Sequence, residues 1–138
     1  MATSNRKPVT PLLTVDCVAI DDRGRVLLIR RGKPPFQGHY ALPGGFVDVG
    51  ETVEDACRRE LLEETGVEAK KLTLIGVYSD PGRDPRGATV SVAFLARVKG
   101  EAKAGDDAAA VEWVESWRRL DLAFDHEQIL KDAAKLLK

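Results

Sequence analysis

The apolar segments in the first third of the chain have the pattern of short β-strands. Residues 12–20, LLTVDCVAI, form one β-rich run, and residues 26–29 form a second run after the turn sequence DDRG. Two such runs joined by Asp and Gly residues predict a hairpin. Residues 32–39 carry two prolines and two glycines, which predicts a loop. Short strand pieces are predicted at residues 40–42 and 46–47, on either side of the turn sequence PGG.

A helix is predicted over residues 53–65. Thr52 is placed as its N-cap, with Asp55 three positions later in a near capping box. Gly66 follows the last helical residue, where a glycine in the left-handed conformation commonly ends a helix. The capping residues at both ends therefore define where the helix begins and ends.

The second half of the chain predicts more strands and a closing helix. Residues 72–78 and 89–98 read as longer strands that flank an irregular loop at residues 79–88, and residues 111–114 read as a short strand. Asp125 and Gln128 form a capping pattern for a last helix, whose apolar residues recur at helical spacing: Ile129, Leu130, Ala133, Leu136 and Leu137. Strands interrupted by one helix and closed by another predict an α/β sandwich with a mixed sheet.

Composition narrows the class of protein. The length of 138 residues suits one domain, which we expect at residues 9–138 behind a flexible tail at residues 1–8. Lys and Arg total 21 against 22 for Asp and Glu, which gives a net charge of -1. A charge this small does not attract the protein to nucleic acid or to an anionic membrane over long range. No apolar run approaches the roughly 18 residues that span a bilayer. Two cysteines within apolar segments suit a reducing compartment, and we expect a cytoplasmic protein.

The central helix departs from the pattern of a helix packed on a sheet. Val53, Ala56 and Cys57 define an apolar stripe, yet Glu60 and Glu64 fall on the same stripe one and two turns later. A solvated acidic face would explain the two glutamates alone. Buried carboxylates instead need compensating charge, and oxygen ligands select hard ions such as Mg²⁺ or Mn²⁺.

Residues 45–67, GFVDVGETVEDACRRELLEETGV, resemble the signature box of the Nudix hydrolases and match every fixed position. The resemblance implies a Nudix-type α/β/α sandwich, with the mixed sheet between the catalytic helix and a C-terminal helix. It also implies that the divalent ions are held by the Gly44 carbonyl and the carboxylates of Glu60, Glu63 and Glu64.

The resemblance assigns supporting roles to other residues of the box. Arg59 would orient Glu63 by a charge-assisted contact, and Glu51 would be structural, pairing with Arg59 or capping backbone groups. The general base differs within the family, so Glu63 on the helix and Asp106 or Asp107 on a later loop both stay open. In this chemistry, divalent ions lower the pKa of the attacking water and clamp the phosphate oxygens.

Two segments outside the box are candidates for substrate binding. The loop sequence SDPGRDPRG contains Pro81, Arg83 and Arg86 and resembles the ADP-ribose pyrophosphatase branch of the family, as does LAFDH at residues 122–126. Arginines on a proline-stiffened loop suit phosphate or ribose, although a solvated turn has the same composition.

A second basic group lies at the end of the second strand. Arg30 and Arg31, with Phe36 and His39 in the following loop, could bind a diphosphate or stack an adenine; solvated strand-end charge is the alternative. His126 is expected to be structural or to contact a second subunit.

The leading expectation is Mg²⁺- or Mn²⁺-dependent hydrolysis of ADP-ribose to AMP and ribose 5-phosphate. A nucleoside-triphosphate pyrophosphohydrolase of the sanitising type would share the box. A non-catalytic ADP-ribose or NAD-metabolite sensor ranks lower, since such regulators carry a winged-helix region after the sensor domain and this sequence ends at Lys138. The branch also implies a homodimer. A small nucleotide is the expected partner, with no nucleic acid and no membrane.

Overall fold

The computed structural model describes residues 7–100, 102, 105 and 108–137. The elements follow one another in the order β1 Leu12–Ile20, β2 Val26–Arg31, β3 Tyr40–Ala41, β4 Gly44–Phe46, α1 Val53–Thr65, β5 Thr73–Tyr78, β6 Thr89–Arg97, β7 Ala108–Val114, a 3₁₀ turn Trp117–Arg119 and α2 His126–Leu136. The predicted tail at residues 1–8 falls largely outside the described residues.

The strands form one mixed sheet of seven strands. Its main path runs β3-β2-β1-β6-β5, while β4 pairs with β1 and β7 pairs with β2. β1 and β6 are parallel, from Leu12 opposite Thr89 to Ile20 opposite Arg97, and the remaining pairs are antiparallel. The long parallel pair therefore forms the centre of the sheet.

The two helices cover opposite faces of this sheet, as the alternation of side chains along β1 shows. Val15, Cys17 and Ala19 pack in one apolar cluster with Ala56, Cys57 and Leu61 of α1. Val18 and Ile20 pack in a second cluster with Ile129, Leu130 and Ala133 of α2. Because successive strand residues face opposite sides, one strand supplies both cores. The predicted α/β/α sandwich is confirmed.

The ends of α1 are those that the sequence predicts. Thr52 Oγ1 accepts a hydrogen bond from the Asp55 N–H at 3.0 Å. At the other end, Gly66 has a φ angle of 74° and donates its N–H to the Leu62 carbonyl at 2.9 Å. The helix therefore presents its glutamates at positions that are set by its caps.

Three local predictions were wrong. Gly44 and Gly45 are part of β4, where they pair with Asp16 and Val15 of β1. The strand lies so close to β1 that there is no space for a side chain at Gly44. β7 begins three residues earlier than predicted, since alanines pair with the end of β2. Asp125 precedes α2 without a side-chain cap, because its carboxylate binds Arg83.

Within the described residues, neither helix is long and apolar enough to cross a membrane.

Candidate functional site

The carboxylates of α1 lie directly against the glycine strand β4. Glu64 Oε1 accepts a hydrogen bond from the Gly44 N–H at 3.0 Å. A Cβ built on Gly45 would lie 2.5 Å from the carboxyl carbon of Glu60. A side chain at position 45 would therefore displace the Glu60 carboxylate, which occupies the volume of a Cβ there.

Two of these carboxylates are crowded and partly removed from water. Burial, together with the charge of the adjacent Glu60, raises the pKa of Glu64 to about 8, although the hydrogen bond from Gly44 opposes this shift. Burial also raises the pKa of Glu60, although Arg59 opposes this shift. Neighbouring carboxylates with raised pKa values bind a proton or a cation more readily than solvated ones. Glu60 and Glu64 therefore favour the binding of a proton or a cation.

Arg59 connects four groups around this pair. Its guanidinium donates to Glu51 at 2.7 and 2.9 Å, to Glu60 at 2.8 Å and to the Phe46 carbonyl at 3.0 Å. It also contacts Glu63 at 3.4 Å. Hydrogen bonding from Arg59 lowers the pKa of Glu51 to about 2, so Glu51 stays ionised. The predicted pairing of Glu51 with Arg59 is confirmed, and Glu51 Oε1 also accepts from the Asp48 N–H.

Glu63 differs from the other two glutamates of the proposed metal set. Its side chain is 59% exposed and points to the same guanidinium. Among the described residues, no three His, Cys, Asp or Glu side chains converge closely enough to hold a metal ion. The pair Glu60 and Glu64 does fit a divalent cation, since both offer hard oxygen donors whose crowding a positive charge would relieve.

A cleft runs from these carboxylates into the protein. Its outer part has a volume of about 730 Å³ and is lined by Glu60, Glu63, Glu64 and Lys33, among others. An inner cavity of about 120 Å³ continues toward Asp16, Thr89, Phe124 and His126. Both parts share seven wall residues, two of them apolar and the others a glycine pair, a carboxylate and two cations: Ile29, Phe46, Gly44, Gly45, Glu64, Arg31 and Arg86. The cations and carboxylates thus face one continuous space.

The structure brings some of the predicted substrate residues to this cleft and places others elsewhere. Arg31 and Arg86 line it. Arg30 points away, with its guanidinium carbon 5.2 Å from the Tyr40 ring centroid, because neighbouring residues of a strand face opposite sides. Phe36 packs edge-on against Phe124 at 5.0 Å. Pro81 is exposed on its loop and outside the cleft wall.

Arg83 lines the inner cavity, but most of its donors are engaged within the protein. It donates to both Asp125 oxygens at 2.7 and 2.9 Å and to Thr89 Oγ1 at 2.8 Å. Its side chain is only 5% exposed. The guanidinium anchors the loop between β5 and β6 to the start of α2, and a role of Arg83 in substrate binding stays a prediction.

Asp16 and His126 form a buried polar network that the sequence analysis did not predict. Asp16 accepts a hydrogen bond from Ser91 at 2.6 Å and lies 3.2 Å from His126 Nε2. Burial raises the pKa of Asp16, but His126, Ser91 and Arg83 outweigh it, and the pKa lies below its ordinary value. His126 Nδ1 accepts from the Leu42 N–H at 2.9 Å, so Nε2 carries the proton that faces Asp16. A lone Asp within an apolar strand run is the signal that could have revealed this network.

The candidate loop bases Asp106 and Asp107 lie outside the described residues. Their neighbour Gly105 donates its N–H to the Glu64 carbonyl at 2.8 Å and lines the outer cleft. A Cβ at Gly105 would collide with the Glu63 carbonyl. Gly105 therefore lies directly against the C-terminal end of α1.

The fold and the site define a class of protein: an α/β sandwich whose carboxylate-bearing helix faces a glycine strand beside a cationic cleft. A family model described as the NUDIX domain matches residues 10–138. The chain therefore belongs to the NUDIX family, which confirms the predicted resemblance.

Individual relatives agree with this membership. An ADP-ribose pyrophosphatase of Methanocaldococcus jannaschii is 51% identical over 123 residues, which are 88% of this chain and 72% of that protein. An ADPR responsive transcriptional repressor of Acinetobacter baylyi is 37% identical over 90% of this chain, which spans only 53% of the repressor. The NUDIX domain of Shewanella oneidensis NrtR, solved with ADP ribose, superposes with a TM-score of 0.89 at 32% identity, over 97% of this chain and 95% of that domain. The first of these relatives supports the predicted hydrolase class.

Proposed function

We propose that this chain hydrolyses the diphosphate bond of ADP-ribose and releases AMP and ribose 5-phosphate, with Mg²⁺ or Mn²⁺ as the cofactor. The observation that carries the proposal is the pair Glu60 and Glu64, crowded against Gly44 and Gly45 at the edge of a cleft that Arg31 and Arg86 also line. The 51% identical ADP-ribose pyrophosphatase supports the choice of substrate.

The metal site of this proposal uses oxygen donors only. Glu60, Glu64, Glu63 and the Gly44 carbonyl would hold divalent ions, which polarise the phosphate and lower the pKa of the attacking water. Arg59 holds the Glu60 carboxylate at 2.8 Å and contacts Glu63 at 3.4 Å, which limits the rotamers that both can adopt. Pre-orientation of this kind reduces the entropy lost on binding.

The remaining roles belong to side chains around the cleft. Arg31 and Arg86 would bind the diphosphate through charge-assisted hydrogen bonds. Glu63 is the leading candidate for the base, since its carboxylate is exposed to the cleft and is not buried against β4. A base must be within reach of the proton of the attacking water, and the exposed Glu63 carboxylate lines the outer cleft.

The test is a product assay on the purified protein. Incubation of ADP-ribose with Mg²⁺ or Mn²⁺ is expected to yield AMP and ribose 5-phosphate by mass analysis, and dGTP analogues are expected to be poor substrates. Glu64→Gln should abolish most turnover, whereas Glu54→Gln, on the exposed first turn of the same helix, serves as the matched control. Absence of ADP-ribose turnover with either metal would contradict the proposal, and release of pyrophosphate from nucleoside triphosphates would favour the sanitising alternative.

A second candidate function is the sensing of ADP-ribose without turnover. The similarity to an ADPR responsive repressor and to a domain solved with ADP ribose favours it. Calorimetry that detects tight ADP-ribose binding, combined with no product in the assay above, would support sensing over hydrolysis. Cytoplasmic location and assembly into a homodimer remain predictions.

A further inference from the structure

Phe124 has an unusual backbone conformation at the wall of the inner cavity. Its φ angle is 53°, in the left-handed region that bulky L-residues seldom adopt. Such strain persists only where surrounding contacts maintain it, and it is concentrated at ligand sites. The residue directly precedes Asp125, which Arg83 holds through two hydrogen bonds, and its side chain lines the cavity. The conformation therefore places an aromatic ring where a ligand would enter.

Two cations share this ring. The guanidinium carbon of Arg31 lies 5.0 Å from the ring centroid of Phe124, and that of Arg86 lies 5.6 Å from it. Both distances fall within the range of cation–π attraction, about 6 Å. The rings of Phe36 and His126 contact Phe124 at 5.0 and 5.4 Å and fix its orientation. Arginines from β2 and from the loop before β6 are thus held on one platform.

The two arginines are close enough to repel each other. Burial lowers the pKa of Arg31, and the charge of Arg86 lowers it further. Asp84 binds Arg86 at 2.9 and 3.1 Å, while Arg31 Nε donates to the neutral Pro35 carbonyl at 2.6 Å. Two neighbouring cations in one cavity wall repel each other, and an anion that carries negative charge on two adjacent groups relieves this repulsion. A diphosphate has this distribution of charge.

We propose that Phe124 is a positioning residue that holds Arg31 and Arg86 together as a binding site for the diphosphate group. The identification of that group as part of ADP-ribose rests on the proposed function. Two planar guanidinium groups that are oriented before binding lose less entropy than free side chains. The site should therefore prefer two linked phosphates to a single phosphate.

Kinetics of ring substitutions test this role. Phe124→Leu keeps an unbranched Cβ and hence the same backbone strain, but it removes the aromatic face. We expect KM for ADP-ribose to rise roughly 5- to 20-fold, because two cation–π contacts are lost. The value of kcat should change less than about two-fold, because the glutamates are untouched. Phe124→Tyr should restore KM, since it retains the ring.

Tyr40→Leu is the matched control, because it removes the ring under Arg30 on a neighbouring part of the same sheet. Its KM should stay at the wild-type value. An equal rise in KM for Tyr40→Leu, or an unchanged KM for a folded Phe124→Leu protein, would overturn the proposal. Thermal melting of each variant establishes that the protein is folded.

A binding measurement separates this inference from the proposed function. Inorganic pyrophosphate, titrated by calorimetry into the protein without divalent ions, should bind wild type and Phe124→Tyr more tightly than Phe124→Leu, and inorganic phosphate should bind all three weakly. If pyrophosphate binding depends on the ring but ADP-ribose is not hydrolysed, the inference holds and the proposed reaction is wrong. If wild type does not bind pyrophosphate, or binds it no more tightly than Phe124→Leu, the inference is wrong.

Discussion

Replacement of Glu64 by glutamine should stabilise the metal-free protein, and the gain should increase with pH. Burial raises the pKa of Glu64 from an ordinary 4.5 to about 8. Between these values the folded protein keeps a proton that the unfolded chain has released. Stability therefore falls as pH rises through this window. Glutamine cannot ionise, so the variant should not show this loss.

The structure gives the size of the effect. At pH 7 the raised pKa of Glu64 corresponds to a cost of about 2 to 3 kcal/mol, after allowance for residual hydration and for coupling to Glu60. Glutamine has the same shape as the protonated acid, so its carbonyl can still accept from the Gly44 N–H and its amide can donate to Glu60. The substitution should therefore remove a charge without leaving either neighbour unpaired.

Urea unfolding followed by circular dichroism, with a chelator present, measures this difference. The free energy of unfolding of Glu64→Gln should exceed that of wild type by about 2 kcal/mol more at pH 8 than at pH 5. Glu54→Gln, on the solvent side of α1, is the matched control and should not show this increment. A constant difference between Glu64→Gln and wild type across this pH range would refute the reasoning. Saturating Mg²⁺ should then stabilise wild type by about 2 to 3 kcal/mol at 100 times its dissociation constant and the variant by less.

Three further results are expected. Arg83→Met should destabilise the protein by about 3 kcal/mol in thermal or urea unfolding, because it removes both hydrogen bonds to Asp125 and the positive charge that faces the buried Asp16; a loss below about 1 kcal/mol would argue against the anchoring role. Because the folded-state pKa of Asp16 is lowered, its contribution to stability is present above its unfolded pKa and is lost as pH falls through its folded pKa. Asp16→Asn should accordingly flatten the acid limb of the stability profile, and an unchanged limb would contradict this. Gly45→Ala should reduce turnover at least about ten-fold by displacing the Glu60 carboxylate, whereas wild-type turnover would show that the close packing against Glu60 is not needed.

The local elements of this protein are largely determined by sequence. Caps at Thr52 and Gly66 define α1 because they satisfy backbone groups within a few residues of each other. Alternation along β1 predicts two buried faces, because the period of a strand is a local property. The Nudix box identifies the glutamates in the same way, since their spacing on one helix is enough to bring them together. These features require no knowledge of distant parts of the chain.

The environment of each of these side chains is decided by the tertiary structure. By sequence alone, four arginines are equivalent basic residues: Arg30, Arg31, Arg83 and Arg86. In the folded protein Arg31 and Arg86 line the cleft, Arg30 lies against Tyr40, and Arg83 joins the buried network with Asp16. Charge alone cannot distinguish them, because the free energy of an ion depends on its solvation and on partners far away along the chain. The raised pKa of Glu64 has the same origin, since it arises where α1 meets β4 and exists in neither element alone.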